Sequence, residues 1–373
     1  MRIFDSIHSN FNALKVQQLN GRYITNAQIV PLIEYLPSGF SHCILGYSEL
    51  EKPIYGVNFG SGPVKILAWS QMHGNESTCT KAIFDAIFSF EQLGLLALSE
   101  TIKLKIIPIL NPDGAECYTR QNSNGVDLNR DATDLTQQES RVLNDVFESF
   151  QPHFCFNMHD QRSIFSAGNQ PKSATVSFLS PSEDHQRTVT PTRQMAMAVI
   201  NQMNDVLQYY IPNQVGRYND AFDINCVGDL FQSKGVPTIL FEAGHFQGDY
   251  NRDETRKFIL MAFFKALVFI SNPIEQQDEL SKYQNIPENK SLFYDILIKN
   301  ARLHGSKEAK LMDIGVIFDE ILIDCRINFI PKIVKSGDLS ANFGHKTIDA
   351  QGQNVTVSST GSVIVGTETF ESI

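Results

Sequence analysis

None of the six cysteines in this 373-residue sequence stands in a CxxC pair; Cys43, Cys79, Cys117, Cys155, Cys226 and Cys325 are scattered singly. That excludes zinc-ribbon spacing, and apolar settings such as HFCFNM around Cys155 make buried free thiols the expectation. No apolar run reaches membrane-spanning length; MAFFKALVFI is short and carries Lys265. The opening MRIFDSIHSN has no apolar segment of signal-peptide length and an early Asp5. A cytoplasmic protein with reduced thiols and no membrane partner is expected. Basic residues are nowhere clustered and the formal net charge is −10, so no nucleic-acid surface is expected. Internal repeats and low-complexity tracts are missing as well. The single tryptophan, Trp69 in VKILAW, reads as core. What is present is an ordinary globular composition: 42% hydrophobic, 10% aromatic and 19% charged.

The first two-thirds of the chain alternate apolar runs with helical patterns. VKILAW (64–69), IKLKIIPIL (102–110), HFCFNMH (153–159) and VPTILFE (236–242) read as buried strands. Helical periodicity covers roughly 77–96, 137–150, 191–210 and 251–270. NPDG (111–114) reads as a turn stopping its strand. Alternation of this kind predicts an α/β fold, a mixed sheet flanked by helices. After Asn272 a polar stretch with two prolines reads as a boundary. Residues 291–303 are expected to form a helix, and from Met312 onward the sequence is β-rich. The expected organisation is a catalytic domain over 1–275 and a small, mainly β C-terminal domain over 285–373.

Four polar groups follow the apolar strands. His73 and Glu76, in HGNE, lie just past the first, where open α/β sheets form ligand sites. Together they can give zinc one nitrogen and one carboxylate; alone, Glu76 could equally cap the next helix. NPDGAECYTRQNSNGVDLNRD places Arg120, Asn129 and Arg130 in a polar loop. Arginine suits bidentate recognition of a carboxylate or an oxyanion, although a solvated loop has the same composition. His159 ends the third strand, whereas His153 begins it, roughly 20 Å away at the wrong edge. Glu242 ends the fourth, where a carboxylate beside a metal can act as general base.

These elements, in this order, resemble the zinc carboxypeptidase family of the carboxypeptidase A type. The resemblance covers about residues 20–270, with GVDLNRD behind NPDG its most diagnostic part, and includes a lead-in, GYSELEKPIYGV (46–57). It implies one zinc per chain on His73, Glu76 and His159, with Asp127 orienting the His73 ring. It implies Arg120 at the scissile carbonyl, Asn129 and Arg130 on the substrate's terminal carboxylate, and Glu242 as general base. The family's substrate-closing tyrosine falls at Tyr218, with Phe222 as competitor. The interval from Arg130 to His159 is shorter than in digestive members. INCVGDLFQ (224–232), where the family forms its side-chain pocket, holds only Asp229, so the preferred side chain is not legible.

Among the other histidines, His245 reads as a supporting or surface residue, His185 as surface, and His8, His42, His304 and His345 as unpatterned. Arg162 either reaches substrate or pairs with Asp160 or Asp131, and Asp160 is expected to bond a neighbouring loop. The expected function is hydrolysis of an amide next to a free carboxylate, in peptides or cell-wall-derived peptides. The alternatives are an N-acyl amino-acid deacylase of the aspartoacylase or succinylglutamate desuccinylase type, which also carries a small β domain, and a non-catalytic zinc- or peptide-binding module. The oligomeric state is not legible.

Overall fold

The computed structural model describes residues 2–273, 278–303, 311–357, 362–366 and 368–370. Its strands in chain order are β1 (Phe40–Tyr47), β2 (Pro53–Phe59), β3 (Val64–Ser70), β4 (Ile102–Ile107), β5 (Phe154–Asp160), β6 (Phe165–Ala167), β7 (Val176–Leu179), β8 (Val215–Arg217) and β9 (Thr238–Ala243). The apolar runs become the middle of one eight-stranded mixed sheet, ordered β1-β2-β4-β3-β5-β9-β7-β8, in which β4, β3, β5 and β9 are parallel neighbours. A strand covered on both faces needs apolar residues at every position, and Ile66 to Trp69 of β3 are all fully buried.

The helices are α1 (Arg2–Leu14), α2 (Asn26–Glu34), α3 (Thr78–Ser89), α4 (Pro112–Cys117), α5 (Gln138–Phe150), α6 (Pro191–Tyr210), α7 (Val227–Ser233), α8 (Asp253–Ser271) and α9 (Glu279–Gln284). On one face of the sheet α3, α6 and α8 bury Phe84, Met203 and Phe263 in the main core. On the other, α5 and α7 bury Leu143, Phe147 and Phe231 against Trp69 and Cys155. The predicted mixed sheet flanked by helices is the observed architecture.

NPDG differs from the expectation. It starts α4 rather than a bare turn: the Asn111 side chain accepts from Gly114 N–H at 2.8 Å, and Pro112 fills a position that needs no N–H donor.

A second sheet contains β11 (Phe293–Leu303), β12 (Met312–Ile323), β13 (Arg326–Gly337), β14 (Phe343–Asp349), β15 (Asn354–Val357), β16 (Val363–Val365) and β17 (Glu368–Phe370); the short β10 (Asn289–Ser291) pairs with β6. The helix expected over 291–303 is instead β11, flanked by β12, β14 and β15. Its run Ile296, Leu297, Ile298 is buried on both faces, so the sequence shows no alternation. Asp295 is buried within it, accepting from Tyr250 Oη–H at 3.0 Å and Phe318 N–H at 2.8 Å.

Candidate metal and hydrolase site

Three neighbouring parallel strands deliver the site. β3 leads into the loop carrying His73 and Glu76, β5 carries His159, and β9 carries Glu242 directly opposite His159 in register. β4 leads into α4 and the loop with Arg120 and Asp127. Gly74 packs on α4 so closely that a Cβ would stand 2.0 Å from the Gly114 carbonyl carbon. The glycines of HGNE and NPDG thus let the two loops meet back to back. The GYSELEKP segment ties in as well: Asp113 accepts from Ser48 Oγ–H at 2.9 Å and from Leu50 N–H at 3.0 Å.

His73 Nδ1 lies 2.9 Å from Glu76 Oε1, His159 Nδ1 lies 2.8 Å from Glu76 Oε2, and the two Nδ1 atoms are 3.1 Å apart. The ligand atoms of the three residues all fall within 4.8 Å of one another, and all three are buried. His73 Nε2 meets Asp127 Oδ1 at 3.0 Å. A carboxylate only accepts, so Nε2 carries the proton and Nδ1 presents a lone pair to the cluster. Lone pairs of two imidazoles and a carboxylate facing each other repel unless a cation sits among them. Donors around a tetrahedral zinc at about 2.0–2.1 Å stand about 3.3 Å apart, close to the spacing seen here. The donor set therefore fits zinc.

The electrostatics follow from that crowding. Burial opposes ionisation of Glu76, but its close contacts with His73 and His159 outweigh it and hold the carboxyl below its usual range. Asp127 is likewise held low against burial by His73 and Arg120. Arg120 donates from Nε to Asp127 at 3.0 Å and from Nη1 to Glu76 at 3.3 Å. Glu242 is pushed the other way: burial first, then the charges of Glu76 and Asp160, raise its carboxyl well above the ordinary value. Its Oε2 is buried without a hydrogen-bond partner among the described residues.

Asn129, Arg130 and Tyr218 line the same cleft, of about 380 Å³. Asn129 Oδ1 accepts from Val227 N–H at 3.1 Å, leaving its Nδ2 donors available. Arg130 Nε lies 3.4 Å from Asp223, an anchor the sequence did not single out. The Tyr218 ring packs edge-on to Phe165 at 5.5 Å, and burial raises its phenol, keeping it protonated. Phe222 is not on the cleft wall; its ring meets His185 at 5.0 Å.

His153 stands at the far end of β5, its Nδ1 accepting from Lys65 N–H. His245 is not a surface residue: it is buried between the rings of Tyr250 and His345, at 4.6 and 4.1 Å. His345 donates to the Ser163 carbonyl at 2.8 Å, a link between the two sheets that no local pattern announces. His304 lies outside the described residues. Asp160 accepts from Thr78 N–H at 3.0 Å and from its hydroxyl, as expected of a loop-binding residue.

Residues 31–215 match the zinc carboxypeptidase family. Over this span the chain belongs to the zinc carboxypeptidase family. Its curated relatives include carboxypeptidase 2 of Trichophyton tonsurans, 30% identical over 125 residues, covering 32% of this chain and 21% of the relative. Another is the probable carboxypeptidase 2 of Arthroderma benhamiae, 30% identical over 108 residues, covering 28% of this chain and 20% of the relative. The chain thus spans about a fifth of the length of these relatives. Among solved structures, the fold is similar to carboxypeptidase A from Helicoverpa armigera, with TM-score 0.53, 14% identity, and coverage of 72% of this chain and 78% of that one. It is also similar to a metallo-carboxypeptidase from Pseudomonas aeruginosa in complex with (2-guanidinoethylmercapto)succinic acid, with TM-score 0.52, 14% identity, and coverage of 66% and 69%. At that identity the likeness concerns the fold.

Proposed function

We propose that the protein is a zinc-dependent hydrolase that cleaves an amide bond adjacent to a free carboxylate, with one zinc per chain on His73, Glu76 and His159. The observation that carries this reading is the convergence of those three donors in a cleft that also holds Glu242, Arg120 and Arg130. When bound, zinc supplies a Lewis acid that acidifies a water and polarises a carbonyl. Glu242, poised by burial to hold a proton, takes it from the attacking water at its unpartnered Oε2 and passes it to the leaving amine. Arg120 donates to the oxyanion as it develops. Arg130 and the Nδ2 donors of Asn129 bind the terminal carboxylate, and the protonated Tyr218 closes over the substrate as a donor.

Peptides, cell-wall-derived peptides and N-acyl amino acids remain three substrate classes for this chemistry. The deacylase alternative is favoured by one observation: Ile317 to Glu320 of β12 line a compartment beside Glu76 in which an acyl group fits. A cytoplasmic setting is part of the proposal, supported by six cysteines that are all free thiols. The deciding experiment is a hydrolysis screen of C-terminal peptide, γ-D-glutamyl-diamino-acid and N-acyl amino-acid substrates, with and without a chelator. Chelator-sensitive release from one class is expected. Zinc binding without release from any class would leave the binding-module reading instead.

A further inference from the structure

The cleft has two compartments. The second, about 370 Å³, lies between the 160–163 segment and the β12 wall, and it shares Glu76, Arg120 and Arg162 with the first. Asn129, Arg130 and Glu242 line only the first. If the substrate's terminal carboxylate sits at Arg130 and its scissile carbonyl at Glu76 and Arg120, the acyl half enters the second compartment. That orientation rests on the hydrolase reading above.

Nearly every charge lining the second compartment is matched within the protein. Arg22 pairs with Glu320 at 3.2 Å. Arg120 pairs with Asp127 and Glu76. Asp319 pairs with Lys332 at 3.2 Å. The Asp160 carboxylate accepts from Thr78. Arg162 is the exception: among the described residues its guanidinium has no hydrogen-bonding or ionic partner, and it is exposed to the cleft. Neither pairing open to it in the sequence is made, since Asp131 is taken by Thr136 and Gln137.

The backbone around Arg162 is nevertheless held tightly. Gln161 N–H donates to Ala243 O at 2.9 Å, and the Gln161 carbonyl accepts from Arg252 at 2.8 Å. On the other side Ser163 O accepts from His345, and Ile164 O from Phe293 N–H at 3.0 Å. A fixed Cα with an unmatched, planar, always-charged fork is a preorganised anion receptor.

We propose that Arg162 is a specificity-determining residue that selects substrates bearing an anionic group, such as a carboxylate, on the acyl side of the scissile amide. The test compares N-acetyl-glutamyl and N-acetyl-glutaminyl dipeptides sharing one C-terminal residue, which are isosteric but differ in charge. Their affinities are measured by calorimetry on the zinc-loaded Glu242→Gln protein, in Arg162, Arg162→Gln and Arg162→Glu backgrounds. With Arg162 the glutamyl peptide binds roughly tenfold more tightly, the scale of one charge-assisted contact open to water. Arg162→Gln brings the ratio close to one, and Arg162→Glu shifts the preference to the lysyl analogue. Equal affinities with Arg162 present, a ratio unchanged in Arg162→Gln, or no binding of the glutamyl peptide would each overturn the assignment. Turnover of the same peptides by the unsubstituted enzyme is followed in parallel. Retained discrimination without turnover overturns the hydrolase reading and leaves Arg162 in its role; turnover without discrimination overturns only the role of Arg162.

Discussion

His73 owes its orientation to what its second nitrogen does. Asp127 accepts the hydrogen bond from Nε2–H and thereby points Nδ1 at Glu76 and His159. Asp127→Asn keeps the shape but loses the charge, so zinc affinity is expected to fall about 10–100-fold in a chelator competition titration. Glu242 makes no contact that ligation needs. Glu242→Gln should therefore retain zinc by elemental analysis while turnover falls about 10²–10⁴-fold; unchanged turnover would refute its role. Asp229 is buried at the cleft wall, and burial raises its carboxyl from 3.8 to about 6. The folded state thus holds that proton more tightly than the unfolded chain. The resulting stabilisation is complete below pH 3.8 and is lost as pH rises through 6, at most about 3 kcal/mol. Asp229→Asn, which keeps an acceptor for Asp223 N–H, should be more stable than the parent at pH 7 and no more stable at pH 3.5. Urea midpoints at the two values check it, and equal gains at both would contradict the assignment.

At the scale of elements, the site was legible where polar residues stop at the end of an apolar run. β3, β5 and β9 are fully covered parallel strands, so their last residues are the first to reach the cleft. That is why His159 could be preferred over His153 from position along the strand. The same continuity of apolar residues hid β11: a central strand and a buried helix look alike in a short window, and only its partners in the sheet separate them. His245 shows the converse. Its neighbours in sequence suggest exposure, yet β14 brings His345 against it. Helix packing carries a further charge invisible to local pattern. Asp85 on α3 makes a bidentate pair with Arg256 on α8, at 2.7 and 2.5 Å, and both are buried. Asp85→Ala removes the buried bidentate partner of Arg256, leaving only the longer ionic contact to Asp253 at 3.4 Å, and should cost about 3 kcal/mol in denaturant unfolding.

For the whole molecule, the second sheet is bound to the first through groups that also shape the cleft. Glu320 of β12 pairs with Arg22 and accepts from Tyr118 Oη–H at 2.5 Å, while Tyr250 donates to Asp295 of β11. The proposed zinc ties together residues from two strand ends of the large sheet, and an ion that binds only the folded state stabilises it by mass action. At a free zinc concentration a thousand times its Kd, the gain is about 4 kcal/mol. Calorimetric melting should therefore shift upward with zinc and return on chelation; a melting temperature indifferent to zinc would speak against the site.

The sequence by itself determined the local chemistry: HGNE on one loop, Asp127 to Arg130 on another, and His159 and Glu242 at strand ends. Each of these is a short spacing whose geometry follows from the element beneath it. Tertiary structure alone decided that β12 walls the cleft, that Asp223 anchors Arg130, and that Arg162 has no partner among the described residues. Those outcomes depend on contacts between distant segments, and neither periodicity nor spacing encodes which distant charge a folded chain brings near and which it leaves unmatched.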